Sequence, residues 1–410
     1  MKITGLSTYV VGVPPPFKGG INWIFLKLST SEGIEGWGEC NGAAFREKTL
    51  VQLVHELCDH FVIDQVDPFN IEDLWRRLYG GSKCHYWHYF QHPSTLATQA
   101  CAAIEMACWD IVGKALGQPV YNLLGGKCHE KLRSYTYMMY DWHPGDDPEK
   151  AGEAALKIAD MGFTGIKLDP LFPMVPQPRE ISLPELRYAE NVFACIRDAV
   201  GDTCDILLGT HGQYTTHSAI RLARSLEPYS PLWFEEPIPP ENTDELARVA
   251  SSTSIPIATG ERLVTKADFR PILEKQAAQI LQINVGSHGL LESKKIAGMA
   301  EAYYAQIAPW MYCGPVSGAA SIQLDMCSPN FLIQEGIETW GGFSEEILKE
   351  PVVWEKGFIL PPEAPGLGVE PDEKVLARHP YNEYSSPEVK EYLSRVEGAG
   401  KIYNTSYKKS

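Results

Sequence analysis

At about 150 residues per domain, a chain of 410 residues points to two or three domains, or to one large barrel with an attachment. Apolar residues make up 44% and charged residues 21%, which excludes disordered, collagen-like and low-complexity classes. Lys and Arg number 36 against 52 Asp and Glu, a net charge of −16 that repels phosphate backbones and anionic lipid, so neither nucleic acid nor a membrane is an expected partner.

In chain order, the opening MKITGLSTYVVGVPPPFKGG reads as a strand and a Gly/Pro loop rather than a signal peptide. ITGLSTYVV and WIFLKLST have strand patterning, and SEGIEGWGE is expected to supply turns. LVQLVHELCDHFV and TLATQACAAIEMACWDIVGKALG place apolar residues at helical spacing, the second stopping at Gly117 just before Pro119. Residues 1–126 therefore read as an α+β block. From about Leu132 the pattern changes to short apolar strands alternating with amphipathic helices: SYTYMMY, TGIKLD, DILLG, PLWFEE, IPIATGE, ILQINV, AQIAPW and FLIQE. Eight βα units are the number that closes a parallel barrel, expected over residues 127–350. HSAIRLARSLEPY has the apolar stripe of an outer barrel helix. A doubly wound open sheet is the alternative; it would leave unpaired edges, and no GxGxxG follows any strand. Residues 351–410 are rich in Pro, Gly and charge, with EAPGLGVEP reading as irregular wrapping chain and NTSYKKS as a frayed end. The ten cysteines, spread from Cys40 to Cys327 without a CxxC pair, fit free and mostly buried thiols in a reducing compartment, so a cytoplasmic setting is expected.

Residues at the C-terminal ends of successive barrel strands converge on one pocket, so chemistry should recur there. Glu235 ends PLWFEE, Glu261 ends IPIATGE 26 residues later, and Glu335 ends FLIQE. Gly209 stands 26 residues before Glu235, with His211 two residues on. Lys167 and Asp169 alternate at the end of TGIKLD and are expected to point inward together. Acidic oxygens from adjacent strands suit a hard divalent cation such as Mg²⁺. A lysine beside such an ion can be held neutral and act as a base. The plainer alternative is a set of ion pairs lining the barrel mouth.

With these residues in view, the chain resembles the mandelate racemase/muconate lactonizing enzyme family of the enolase superfamily. The likeness runs through EMACWDIVGKALGQPVYNLLGG, WFEEP, IPIATGE, GPV and PGLGVE, and covers nearly the whole chain. It implies a modified TIM (β/α) barrel with an α+β capping domain built from the N-terminal region and the C-terminal segment. It also implies bound Mg²⁺, and removal of a proton next to a carboxylate to give an enediolate. By resemblance, Glu235 and Glu261 match metal ligands, Lys167 a strand-two base, and Glu335 a residue that holds or polarises substrate. His211 matches the general acid of sugar-acid dehydratases, and GIKLDP resembles the KxDP form of the dehydratase-like groups.

The chain also departs from that pattern. Gly209 stands where the family carries a third metal-binding aspartate, so His211 is expected as the replacement ligand, with Asp169 as a second option. Asn284 and Trp310 replace an Asp–His pair, which removes a base from one face of the substrate and leaves one-sided chemistry. The expected function is Mg²⁺-dependent dehydration of a hydroxy or sugar acid. The alternatives are an epimerase, racemase or lactone cycloisomerase on the same scaffold, or a non-catalytic member with a degraded site. A small carboxylate is the expected partner, and a homo-oligomer, dimer or octamer, is expected by resemblance alone.

HYWHYFQH carries His85, His88 and His92 at helical spacing, which suits Zn²⁺ or Ni²⁺, or a cap loop whose His85, Tyr86 and His88 touch substrate. PPPFKGGINW, with Lys18 and Trp23, reads as a second lid, and Trp23, Tyr137 and Trp310 are further candidate substrate contacts. GPVSG places Ser317 in a Gly-rich turn opening a helix whose amides suit an anion. No GxSxG elbow and no GxxxxGK[ST] loop are present, which sets aside serine hydrolases and P-loop enzymes at the level of motifs.

Overall fold

The structure, a computed structural model, describes every residue except 42–43, 81–93, 139–141, 172–177, 338 and 399–410. Among the described residues the strands are, in chain order, β1 (Ile3–Gly12), β2 (Asn22–Thr30), β3 (Glu35–Cys40), β4 (Leu132–Tyr137), β5 (Gly165–Leu168), β6 (Asp205–Gly209), β7 (Trp233–Glu235), β8 (Ile257–Thr259), β9 (Ile280–Leu281), β10 (Gln306–Ile307), β11 (Gln334–Gly336), β12 (Trp354–Glu355) and β13 (Phe358–Ile359). The chain divides into two compact units. The first joins Met1–Thr136, Gly260–Glu274 and Gln279–Asn382; the second joins Tyr137–Thr259, Lys275–Ala278 and Glu383–Ser410.

In the first unit, β1, β2 and β3 form an antiparallel sheet against the helix Thr95–Leu116. Ser94 caps that helix through its Oγ, which accepts from the Ala97 N–H, and Gly117 ends it with φ 64°. SEGIEGWGE divides: the expected turn falls on residues 31–33, and the rest, from Glu35, is strand β3. Its glycines serve close approach: a Cβ on Gly36 would lie 2.2 Å from the Ala107 carbonyl oxygen, and one on Gly38 2.0 Å from that of Ala103. The strand lies directly on the helix backbone, which only glycine opposite small helix residues allows. Ile24, Leu26, Leu50, Leu74, Ala103, Ile104 and Ile111 belong to the buried cluster behind this contact.

The rest of the first unit holds short ladders, β11 parallel and β13 antiparallel to β4, and β9 parallel to β10. The β12–β13 hairpin precedes EAPGLGVEP in the C-terminal segment. EAPGLGVEP is tied down: the Leu367 N–H donates to Asp110 Oδ1 at 2.9 Å, and the Val120 N–H to the Gly366 carbonyl at 2.9 Å.

The second unit carries the parallel ladder β5–β6–β7–β8. Strands β5, β7 and β8 are buried along their whole length, as continuous apolar runs covered on both faces should be. The intervening helices start at side-chain caps, including a capping box of Ser182 with Glu185 before Leu183–Val200, and Asp147 before Pro148–Asp160. Among the described residues, no helix is long and apolar enough to cross a membrane.

Candidate active site

Lys167, Gly209 and Glu235 stand at the carboxyl ends of three neighbouring parallel strands, with Gly209 directly opposite Glu235 in register. Lys167 Nζ donates to Glu235 Oε1 at 2.7 Å, with both side chains essentially buried. Trp233 Nε1 lies 3.3 Å from Glu235 Oε2, and Lys167 Nζ sits 5.4 Å from the centre of the Tyr137 ring. Of the two readings of these charges, the ion pair is the arrangement this unit adopts for Lys167 and Glu235. A Cβ built on Gly209 would lie 2.4 Å from Lys167 Cε and 2.7 Å from Cγ, so the lysine stem fills the space a side chain there would need. The Tyr137 hydroxyl donates to the Gly209 carbonyl at 3.2 Å, which gives this tyrosine a structural partner beside the pair. Glu236 follows with φ 36°, a conformation costly for a residue other than glycine and typical of constrained sites.

Asp169 is buried, and both its oxygens are engaged. Oδ1 accepts from the Leu171 N–H at 3.0 Å, and Oδ2 from Gln213 Nε2 at 2.7 Å. Burial pushes its carboxyl up to about 7 against the opposing hydrogen bonds. Gln213 also accepts the His211 N–H on Oε1 at 2.9 Å, so one buried amide links the segment carrying His211 to Asp169. The sequence reading missed Gln213; its place two residues after His211 in GTHGQY was the available signal.

In the first unit, Glu335 Oε2 accepts from the Met311 N–H at 2.7 Å. Asn284 accepts on Oδ1 from Asn41 Nδ2 at 2.8 Å, and its own Nδ2 lies 3.5 Å from the Glu261 carbonyl oxygen. Asn284 is thus part of an amide network with Asn41, a second residue the sequence left unmarked. Trp310 is half-buried, and its N–H donates to the Ile283 carbonyl at 3.1 Å. Trp23 is buried, with its indole N–H on the Gly19 carbonyl at 3.0 Å and its ring stacked on Phe343. The amides of the GPVSG turn are taken by an internal carboxyl group: Glu39 accepts from the Gly314 N–H at 2.5 Å and from the Ser317 N–H at 2.8 Å. Burial pushes Glu39 up to about 7 despite these bonds. His85 and His88, with the rest of HYWHYFQH, lie outside the described residues.

The donors around Glu235 do not fit a divalent cation. One Glu235 oxygen holds an ammonium, position 209 offers no ligand, and both Asp169 oxygens are engaged. Among the described residues, no group of three or more His, Cys, Asp or Glu is placed to hold a metal ion.

Comparison with known proteins places this geometry. Residues 150–375 match the family described as enolase C-terminal domain-like, and residues 19–125 match the mandelate racemase/muconate lactonizing enzyme N-terminal domain. D-galactonate dehydratase of Ralstonia nicotianae is 40% identical over 392 residues, which are 92% of this chain and 94% of that protein. A structure from Labrenzia alexandrii, described as a mandelate racemase/muconate lactonizing enzyme, superposes with a TM-score of 0.89 at 48% identity, covering 93% of this chain and 98% of that one. A dehydratase protein from Salmonella enterica superposes at 0.83 with 32% identity, covering 92% of this chain and 98% of that one. The fold class is accordingly a modified (β/α) barrel with an α+β capping domain.

Proposed function

The chain belongs to the mandelate racemase/muconate lactonizing enzyme family of the enolase superfamily as a sugar-acid dehydratase, and we propose that its substrate is D-galactonate or an aldonate of the same chemistry. The observation that carries the choice of substrate is similarity over nearly the full chain to curated D-galactonate dehydratases at 36–40% identity. With it goes a division into a cap at residues 1–126, a barrel at 127–350 and a returning segment at 351–410, in a cytoplasmic homo-oligomer.

Of the two candidate bases, Lys167 is held 2.7 Å from the Glu235 carboxylate, which favours its ammonium form, and an ammonium has no lone pair with which to take a proton. We therefore assign proton transfer to His211, and to Lys167 the stabilisation of charge on the substrate carboxylate. His211 takes the proton from C2 and returns it to the 3-hydroxyl, which leaves as water when the C3–O bond breaks. The enol that remains ketonises to a 2-keto-3-deoxy sugar acid. Both transfers occur on one face, which suits a chain with Asn284 and Trp310 in place of an opposite acid–base pair. Glu335, held by the Met311 amide, is assigned to orient the substrate. Magnesium enters none of these steps, because the donors around Glu235 do not fit it.

Product analysis tests this reading. A 2-keto acid trapped by semicarbazide is the expected result. Deuterium wash-in at C2 without keto product would instead support an epimerase, and neither reaction on any acid sugar would support a non-catalytic member.

A further inference from the structure

We infer that Lys167 is a built-in cation: its ammonium occupies the place on Glu235 that a divalent metal ion would need, and Gly209 is the residue that makes room for it. The inference deepens the dehydratase reading and rests on it only for what the positive charge is used for.

Three observations carry the placement. The Lys167–Glu235 pair is a 2.7 Å contact between two buried side chains, so the carboxylate already has a close positive partner. Position 209 requires glycine for space and not for backbone geometry, because Gly209 is absent from the residues with positive φ. What a Cβ there would meet is the lysine itself, 2.4 Å from Cε and 2.7 Å from Cγ. Cγ lies near the root of the side chain, so a small movement of the ammonium would not relieve the overlap. A carboxylate ligand at 209 and this lysine conformation therefore exclude one another.

Charge makes the exchange coherent. A carboxylate with a divalent ion carries one net positive charge, the same as one ammonium. The geometry therefore points to an electrostatic site that the chain builds from its own side chains.

Mn²⁺ titration of the full chain, followed by electron paramagnetic resonance, tests this without any sugar acid, so its outcome is independent of whether D-galactonate is turned over. Wild type is expected to leave Mn²⁺ free up to about 1 mM, the weak end of divalent sites. Lys167→Ala/Gly209→Asp, which removes the ammonium and supplies a carboxylate, is expected to bind Mn²⁺ at least about tenfold more tightly than wild type. One Mn²⁺ per wild-type chain, lost in Glu235→Gln, would overturn the inference. So would a folded double variant, judged by circular dichroism, that binds Mn²⁺ no better than wild type.

Discussion

Replacing either member of the Lys167–Glu235 pair takes a close opposite charge from the other in a place that water scarcely reaches. Lys167 is 2% exposed and Glu235 fully buried. At 2.7 Å and an effective dielectric constant of about 20, the gross attraction is about 6 kcal/mol, most of it offset by the desolvation of two ions. Truncating one partner keeps the desolvation cost of the other and loses the attraction. Lys167→Met and Glu235→Gln should therefore each destabilise the chain by about 3–5 kcal/mol. The double variant removes both charges, and Gln still offers an oxygen to Trp233 Nε1. Its cost should fall short of the sum of the singles by at least about 2 kcal/mol. Urea unfolding of the four proteins, read by fluorescence and circular dichroism and analysed only where the transitions coincide, measures this coupling. Single variants each costing less than about 1 kcal/mol, or a double variant additive within about 0.5 kcal/mol, would refute a buried, mutually dependent pair.

His211→Asn should lower turnover by about 10²–10⁴-fold while leaving the urea midpoint near that of wild type, as expected for loss of a proton-transfer group; steady-state kinetics on the sugar acid reads it. Gly36→Ala places a methyl 2.2 Å from the Ala107 carbonyl oxygen and should cost at least about 1–3 kcal/mol in thermal or urea unfolding, with the Lys167–Glu235 site unaffected. Burial raises Glu39 and Glu105 from the ordinary carboxylate range to about 7. Between those limits the folded chain holds protons that the unfolded chain has released, so both groups make stability fall as pH rises from about 4.5 to about 7. Glu39→Gln should flatten the decline in the urea midpoint between about pH 5 and 8 relative to wild type, and an equal or steeper decline would show that Glu39 does not titrate in this window.

Where one physical signal dominated, the sequence was readable. DILLG matches β6 from end to end, because a short apolar run bounded by Asp and Gly has few other options. TLATQACAAIEMACWDIVGKALG matches the helix Thr95–Leu116, with Gly117 as its left-handed terminator. The reading failed where a residue has two uses. Gly36 and Gly38 have the composition of a turn, yet they let a strand lie on a helix backbone, and only the partner helix reveals this. Glycine at 209 read as a missing ligand, and the lysine stem that fills its place comes from a strand 42 residues earlier. Gln213, Asn41 and Glu39 went unmarked for a related reason. Each matters through a partner distant in sequence or through a backbone amide, and of the three only Gln213, two residues after His211, had a spacing signal.

Proton NMR of D-galactonate incubated with the chain in D₂O tests the central claim, dehydration at this site, most directly. The expected result is a 2-keto-3-deoxy acid carrying one solvent deuterium at C3, formed by wild type and lost in His211→Asn. D-galactonate recovered unchanged, or exchanged at C2 with no keto product, would contradict it.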